Sequence, residues 1–225
     1  MTPKHLSVPE PGVRQIAHEL ASKIARERLA EIKDIELQCR KSGARYLADE
    51  KSIVLEYLNC PYRITLPEGE VSFGASAEIV PPRDKILILH YFIRAKGTPL
   101  TGRLITYKEL QEGINYYPTF LKRAIDPIIS SFKDQPERLP EIAASLGGHK
   151  TDYGDIAVTI RAFANAPLTI VLWRGDKEFP PEGNILFDST IGDYLPTEDV
   201  TILCEIIAWK LVRNLKTGGD APGNR

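Results

Sequence analysis

Leu168-Thr169-Ile170-Val171-Leu172-Trp173, then Arg174-Gly175-Asp176-Lys177-Glu178-Phe179-Pro180-Pro181, then Ile185-Leu186-Phe187-Asp188, and then an amphipathic run from Thr197 to Leu215 form the stretch that decides the fold. The first segment is an apolar run of strand length, and the charged segment with its two prolines breaks it. The third segment is short and apolar again. The last repeats Val200, Leu203, Ile207, Leu211 and Leu215 at helical spacing, with Glu198 and Asp199 in the positive first turn and Thr197 placed to cap it. Just upstream, Ile156, Val158, Ile160 and Ala162 alternate with Ala157, Thr159 and Arg161, and Asn165-Ala166-Pro167 turns the chain into Leu168. Neighbouring strands joined by a tight turn make an antiparallel pair.

A second set of strands stands nearer the N-terminus. Arg45 to Ala48, Ser52 to Leu58 and Pro61 to Leu66 are separated by Asp49-Glu50-Lys51 and Asn59-Cys60, which predicts a meander. Before it, Val13, Ile16, Ala17, Leu20 and Ile24 recur at helical spacing, and a shorter helical piece ends near Ser42-Gly43. After it, Pro82 and Asp84 mark a helix start, and Lys85 to Ala95 is apolar nearly all round, the pattern of a buried central helix. Phe120, Leu121, Ala124, Ile125, Ile128 and Ile129 are again helical in spacing, although Pro127 must kink or start a turn among them. Glu141 to Leu146 predicts a short helix that stops at Gly147-Gly148-His149, where two glycines need a backbone reason.

Strands arrive as neighbouring pairs and do not alternate one for one with helices. The expectation is a single α+β domain over residues 13–216, with a mixed or antiparallel sheet, between a disordered leader (1–12) and a disordered tail (217–225). No internal repeat interrupts it. Twenty-nine basic against 30 acidic residues give a net charge of -1, so no global field favours nucleic acid or an anionic membrane. No apolar run reaches the roughly 20 residues of a membrane span, and the first residues lack the apolar core of a secretory signal, so the expected location is cytoplasmic. Three distant cysteines, Cys39, Cys60 and Cys204, fit neither a disulfide framework nor a metal-ligand run; Cys204 falls on the apolar face of the last helix, and the other two are expected nearer the surface.

Several residues carry possible chemistry. His90 sits in the apolar helix beside Tyr91; a neutral imidazole there could ligate a metal or a tetrapyrrole centre through one nitrogen, or be a core histidine satisfied by hydrogen bonds. His149 follows two glycines in a polar loop. Tyr116, Tyr117, Trp173 and Phe179 offer flat apolar surface near turns, as a planar cofactor or a partner would need, or plug the core. Asp176, Glu178, Glu182, Asp188, Asp193, Glu198 and Asp199 gather seven carboxylates in 24 residues without the pattern of a calcium loop. They read as ion pairs and caps, or as an acid and base pair if burial separates their pKa values.

Leu87-Ile88-Leu89-His90-Tyr91, Gly97-Thr98-Pro99-Leu100-Thr101-Gly102, Gly147-Gly148, Leu172 to Pro180, Ile185-Leu186-Phe187-Asp188, Tyr194-Leu195 and Glu198-Asp199 together resemble the prokaryotic domain-of-unknown-function family numbered thirty-seven eighty-six. The resemblance runs from about Val13 to Leu215 and brings no catalytic residues with it. It implies an anaerobic context, since some relatives are joined to a four-cysteine iron-sulfur domain similar to that of corrinoid iron-sulfur proteins. This chain lacks those cysteines.

Three expectations follow. The first is a non-enzymatic protein that binds a corrinoid or haem-type cofactor between the His90 helix and the Trp173 to Asp188 segment, drawing on His90, Tyr91, Tyr116, Tyr117, His149, Trp173, Asp176, Glu178 and Phe179. The second is an interaction module that docks an iron-sulfur or corrinoid methyltransferase partner. The third is an enzyme using Asp176, Glu178 and Asp188.

Overall fold

Leu58 and Asn59 take φ of 49° and 63°, the backbone of a two-residue hairpin turn whose twist matches its flanking strands. They join β2 (Ser52–Tyr57) to β3 (Cys60–Thr65), and β1 (Arg45–Leu47) and β4 (Val71–Phe73) complete an antiparallel meander in the order β1-β2-β3-β4. The computed structural model describes residues 11–74 and 79–218. In it a second antiparallel sheet, in the order β5-β9-β8-β7-β6, contains β5 (Leu104–Thr106), β6 (Gly148–Thr151), β7 (Ile156–Phe163), β8 (Ala166–Trp173) and β9 (Glu182–Asp188). The fold is α+β, with its paired strands divided between two sheets.

The sheets meet where the Leu58 amide donates to the Ala162 carbonyl at 2.9 Å. An aromatic column grows from that joint. Tyr57 stacks on Phe163 (centroids 4.8 Å apart), Phe163 on Tyr91 (4.0 Å, 7° between planes), and Tyr91 lies 5.8 Å from Tyr194. Each of these rings is 1% exposed or less, so one core joins both sheets and the helices over them.

The helices are α1 (Pro11–Ala30), α2 (Ile35–Ser42), α3 (Pro82–Arg94), α4 (Gly113–Phe120), α5 (Asp126–Phe132), α6 (Leu139–Ala144) and α7 (Thr197–Lys216). As its composition predicts, α3 is buried through Ile86, Leu87, Ile88, Leu89, Tyr91 and Phe92. Its C-terminal carbonyls are satisfied from α2: Gln38 Nε2 donates to Phe92, Ile93 and Ala95 at 2.6, 3.2 and 3.0 Å. The long C-terminal helix α7 buries Val200, Leu203, Ile207, Leu211 and Leu215 as expected.

Five local expectations need correction. Pro11 and Gly12, expected in the leader, open α1; residues 1–10 and 219–225 lie outside the described residues. The apolar stripe of α1 is not its packed face: Ile16, Leu20 and Ile24 are 67%, 57% and 40% exposed, while Ala25 and Leu29 are buried. Thr197 is not the cap of α7, because Pro196 holds that position and the Thr197 hydroxyl donates to the Gln111 carbonyl at 2.7 Å. His149 lies in edge strand β6, paired with Thr159. Cys39 is buried, and its thiol is pushed up to about 11 by burial first and then by the Glu36 charge.

Candidate functional site

Three segments far apart in sequence enclose a cleft of about 620 Å³. The C-terminal end of α3 contributes Arg94, the 107–123 segment contributes Tyr107, Leu110, Tyr116 and Arg123, and the start of α7 contributes Glu198, Thr201 and Ile202. That size is typical of small-molecule and cofactor sites. Tyr107 forms its floor. The ring stacks on Phe120 at 3.9 Å and 9°, and its hydroxyl bonds Thr201 Oγ1 at 2.7 Å. Thr201 in turn donates to the Thr197 carbonyl at 3.0 Å, tying the cleft floor to the first turn of α7.

The wall that packs against α7 has an uncommon backbone. Between α4 and α5 the chain widens into a π turn over Leu121–Ile125, and the Asp126 amide reaches back to the Leu121 carbonyl. Pro127 explains part of it: without an N–H it cannot bond the carbonyl four residues back, and its ring crowds that carbonyl. Such turns occur frequently at functional sites, and this one carries Arg123 into the cleft wall. Before α4, a capping box fixes the approach: the Thr106 amide donates to Glu109 Oε2 at 2.7 Å. The Thr106 amide and then its hydroxyl hold the Glu109 carboxyl below the usual range. Gly113 admits the Tyr107 carbonyl so closely that a Cβ there would sit 2.0 Å from its oxygen.

At the margin of the cleft, α3 and α7 run antiparallel and are joined by two polar pairs. Arg83 grips Glu205 through Nη2–Oε2 at 2.8 Å and Nη1–Oε1 at 3.3 Å. Two turns on, His90 Nδ1 lies 2.8 Å from Asp199 Oδ2. The Asp199 side chain is 7% exposed and that of His90 is 27% exposed. His90 precedes Arg94 by one helical turn, or about 6 Å along α3, on the same face. With Nδ1 engaged, Nε2 is the ring nitrogen that bonds no protein group among the described residues.

The family described as Domain of unknown function (DUF3786) matches residues 34–210. The chain belongs to this family. No curated protein and no solved structure matches it. Within the DUF3786 chain, α2 to α6, both sheets and most of α7 fall in the matched span, and α1 precedes it.

The expected site residues divide into separate places. Tyr116 lines the cleft with 55% exposure, whereas His90 is not among its lining residues and stands one helical turn before Arg94, which is. Tyr117 packs partly against the core with Lys108 Nζ 4.2 Å above its ring. Tyr91 is wholly buried; it donates to the Ser42 carbonyl at 2.8 Å, accepts from the Asn165 amide at 3.1 Å, and serves as a core plug. His149 is exposed on β6. The two glycines before it have structural causes: Gly147 has φ 73°, and a Cβ on Gly148 would meet Ala143 at 2.7 Å.

Trp173, Asp176, Glu178 and Phe179 gather around the loop between β8 and β9. A shallow depression of about 350 Å³ is lined there by Asp176, Glu178, Phe179 and Lys133. The pocket expected between the His90 helix and the Trp173 to Asp188 segment is therefore not formed as one site: that loop enters β9 at Glu182, whereas β9 leaves at Asp188, about 20 Å further along the strand. Asp176 is occupied by its own turn, accepting from the amides of Glu178 and Phe179 at 2.8 Å each. Those amides, Phe179 first, hold its carboxyl below the usual range. Arg174 pairs with Glu137 at 2.7 Å and not with Asp176. Asp188 clamps the loop before β5, so the three carboxylates do not converge. No cluster of three or more His, Cys, Asp or Glu side chains suited to a metal ion occurs among the described residues, and no helix among them is long and apolar enough to cross a membrane.

Arg94, Tyr107, Leu110 and Arg123 carry no signal in the sequence as site residues, and Asp199 stands out there only as one of seven carboxylates. Pro127 marked the unusual turn, but the pairing of His90 with Asp199 joins positions 109 apart and has no local signature.

Proposed function

We propose that this protein is a non-enzymatic cofactor-binding protein that takes a metal-centred tetrapyrrole, of corrinoid or haem type, at the cleft beside His90. The observation that carries the reading is the His90–Asp199 pair. A ligating histidine commonly gives its other ring N–H to a carboxylate, which fixes the tautomer and raises the basicity of the ligating nitrogen. Asp199 meets that requirement, and Nε2 of a partly exposed ring has no partner among the described residues. Tyr107, Tyr116, Leu110, Leu195 and Ile202 supply apolar and aromatic lining suited to a flat ring. The bound group would supply ligand exchange or electron transfer at its metal; His90 would hold the metal, Asp199 would orient His90, and the aromatic wall would exclude water.

Anaerobic absorbance titration with haem and with cobalamin tests this reading. The expected result is a band shift with a one-to-one endpoint, lost in His90→Ala and kept in His149→Ala, with affinity reduced about 10- to 100-fold in Asp199→Asn. No shift with either ring, or a shift untouched by His90→Ala, overturns it.

A second reading, a module that docks an iron-sulfur or corrinoid methyltransferase partner, is favoured by the exposed stripe Ile16, Leu20 and Ile24 on α1. Recovery of the same partner from native extract by the wild type and by Leu20→Asp would exclude that stripe as the docking surface.

A further inference from the structure

The side chains of α1 fall on two opposed faces. Ala25 and Leu29 are buried on the face toward the core, and the helix packs against α3. Ile16, Leu20 and Ile24, spaced four apart on the face turned away, are 67%, 57% and 40% exposed. Glu19 and Lys23 border this stripe on one flank, and Ala17 and Ala21 border it on the other. Lys23 lies 3.9 Å from Glu27, with the two side chains 74% and 61% exposed, a contact too long and too wet to hold the ammonium group in place. The family match begins at residue 34, so the stripe stands on an element outside the matched span.

The pattern is complementary to itself in one orientation. A two-fold axis at Leu20, perpendicular to two antiparallel copies of α1, sets Leu20 against the partner's Leu20 and Ile16 against the partner's Ile24. The same axis sets like flank against like flank. Glu19 then comes within two residues of the partner's Lys23, about 3 Å along the helix, and Lys23 stands in the same relation to the partner's Glu19. On the other flank Ala17 faces the partner's Ala21, and the small side chains let the backbones approach. A parallel pair would set Glu19 and Lys23 against the alanine flank, with no opposite charge across the seam. We infer that α1 pairs with α1 of a second copy, antiparallel about Leu20, so that the protein self-associates through the helix that precedes its family domain. The contact spans about two and a half helical turns and falls below the roughly 1,200 Å² of a stable complex, so the dimer is a weak one.

Sedimentation velocity of the full chain, from about 5 to about 500 μM, is expected to show monomer passing to dimer with a Kd of about 10–100 μM. Leu20→Asp, at a position exposed in the single copy, should keep the circular dichroism of the fold and stay monomeric over that range. Glu19→Lys and Lys23→Glu should each weaken the dimer about threefold or more, and the two together should restore it. Cys39 and Cys204 are buried, so a Cys60→Ser background isolates an introduced thiol. There Leu20→Cys should form a disulfide-linked dimer under mild oxidation, and Ile16→Cys should not, because its two thiols would lie about 12 Å apart along the seam. A monomer throughout the range overturns the inference and leaves the stripe to a different protein. A dimer that persists in Leu20→Asp overturns the choice of surface. Linking of Ile16→Cys as fast as Leu20→Cys, or a double charge variant no tighter than the single ones, overturns the antiparallel register.

Discussion

Asp188→Asn has an expected cost that follows from hydrogen-bond geometry. The residue is 3% exposed, and its carboxylate accepts from five donors. The amides of Gly102 (2.7 Å) and Thr101 (3.0 Å) approach Oδ2, while the Thr101 hydroxyl and the amide and hydroxyl of Thr190 approach Oδ1 at 3.1, 3.0 and 2.8 Å. Whichever way the asparagine amide is turned, its NH2 faces donors. Hydrogen bonds to an ionised group contribute about 1.5–3 kcal/mol each, and water recovers part of the loss at this loop edge, so the expected destabilisation is about 2–4 kcal/mol. For a chain of this size that lowers Tm by roughly 5–15 °C. The sign of the pH dependence also follows. Burial alone raises the Asp188 carboxyl, but the Thr190, Thr101 and Gly102 donors outweigh it and hold it below the usual range. The unfolded chain therefore takes up the proton first. The contribution of Asp188 is complete above the unfolded pKa of about 3.9 and is lost as pH falls through the lower folded value. Urea unfolding of both proteins, followed by circular dichroism from pH 7 down to pH 2.5, should give a gap that is widest at neutral pH and narrows below about pH 4. A variant within about 0.5 kcal/mol of wild type at pH 7, or a gap independent of pH, refutes the reasoning.

Three further outcomes are expected. Gly113→Ala places a methyl 2.0 Å from the Tyr107 carbonyl, against backbone that cannot swing away, and should destabilise by about 2–4 kcal/mol in urea unfolding; an unchanged midpoint would show that the turn before α4 yields freely. Tyr91→Phe removes the hydroxyl that links Ser42 to Asn165 and should cost about 1–3 kcal/mol by thermal unfolding, with the ring stack retained in near-ultraviolet dichroism. Cys39 and Cys204 are buried and both thiols are pushed up by burial, so a thiol reagent at pH 8 should label them only in denaturant; fast labelling of Cys204 in the native protein would contradict the packing of α7.

The elements were legible wherever one period dominates. β7 and β8 were read from their alternation and their Asn165 turn, α3 from its apolar run after Pro82, and α7 from its stripe. Periodicity failed on α1, since a helical pattern shows that an apolar face exists but not which face finds a neighbour. There the face with Ala25 and Leu29 is buried, and Arg26 anchors it to Glu70 at 2.7 Å. It failed on β6 too, where Gly148-His149-Lys150-Thr151 has no apolar alternation and is a strand because β7 pairs with it. Of the expected site, His90 was visible as a polar residue in an apolar helix. Its partner stands out in the sequence as an acid suited to the first turn of α7 and as one of seven neighbouring carboxylates, neither of which points to His90.

That double use of Asp199 bears on why the cleft lies where it does. An acid in the first turn of α7 is favoured by the helix dipole whether or not anything faces it, but 7% exposure makes a carboxylate costly unless a donor comes to it. His90 is that donor, brought by the antiparallel course of α3 and α7 that Arg83 and Glu205 fix two turns away. The same seam sets Arg94 beside the start of α7, and the π turn, packed on α7, adds Arg123 to the lining. The cleft is thus built from helix ends and one irregular turn, while the two sheets and their aromatic column hold those ends in register. A substitution in the column should therefore lower stability before it alters binding, whereas one at Asp199 should alter binding with the column intact.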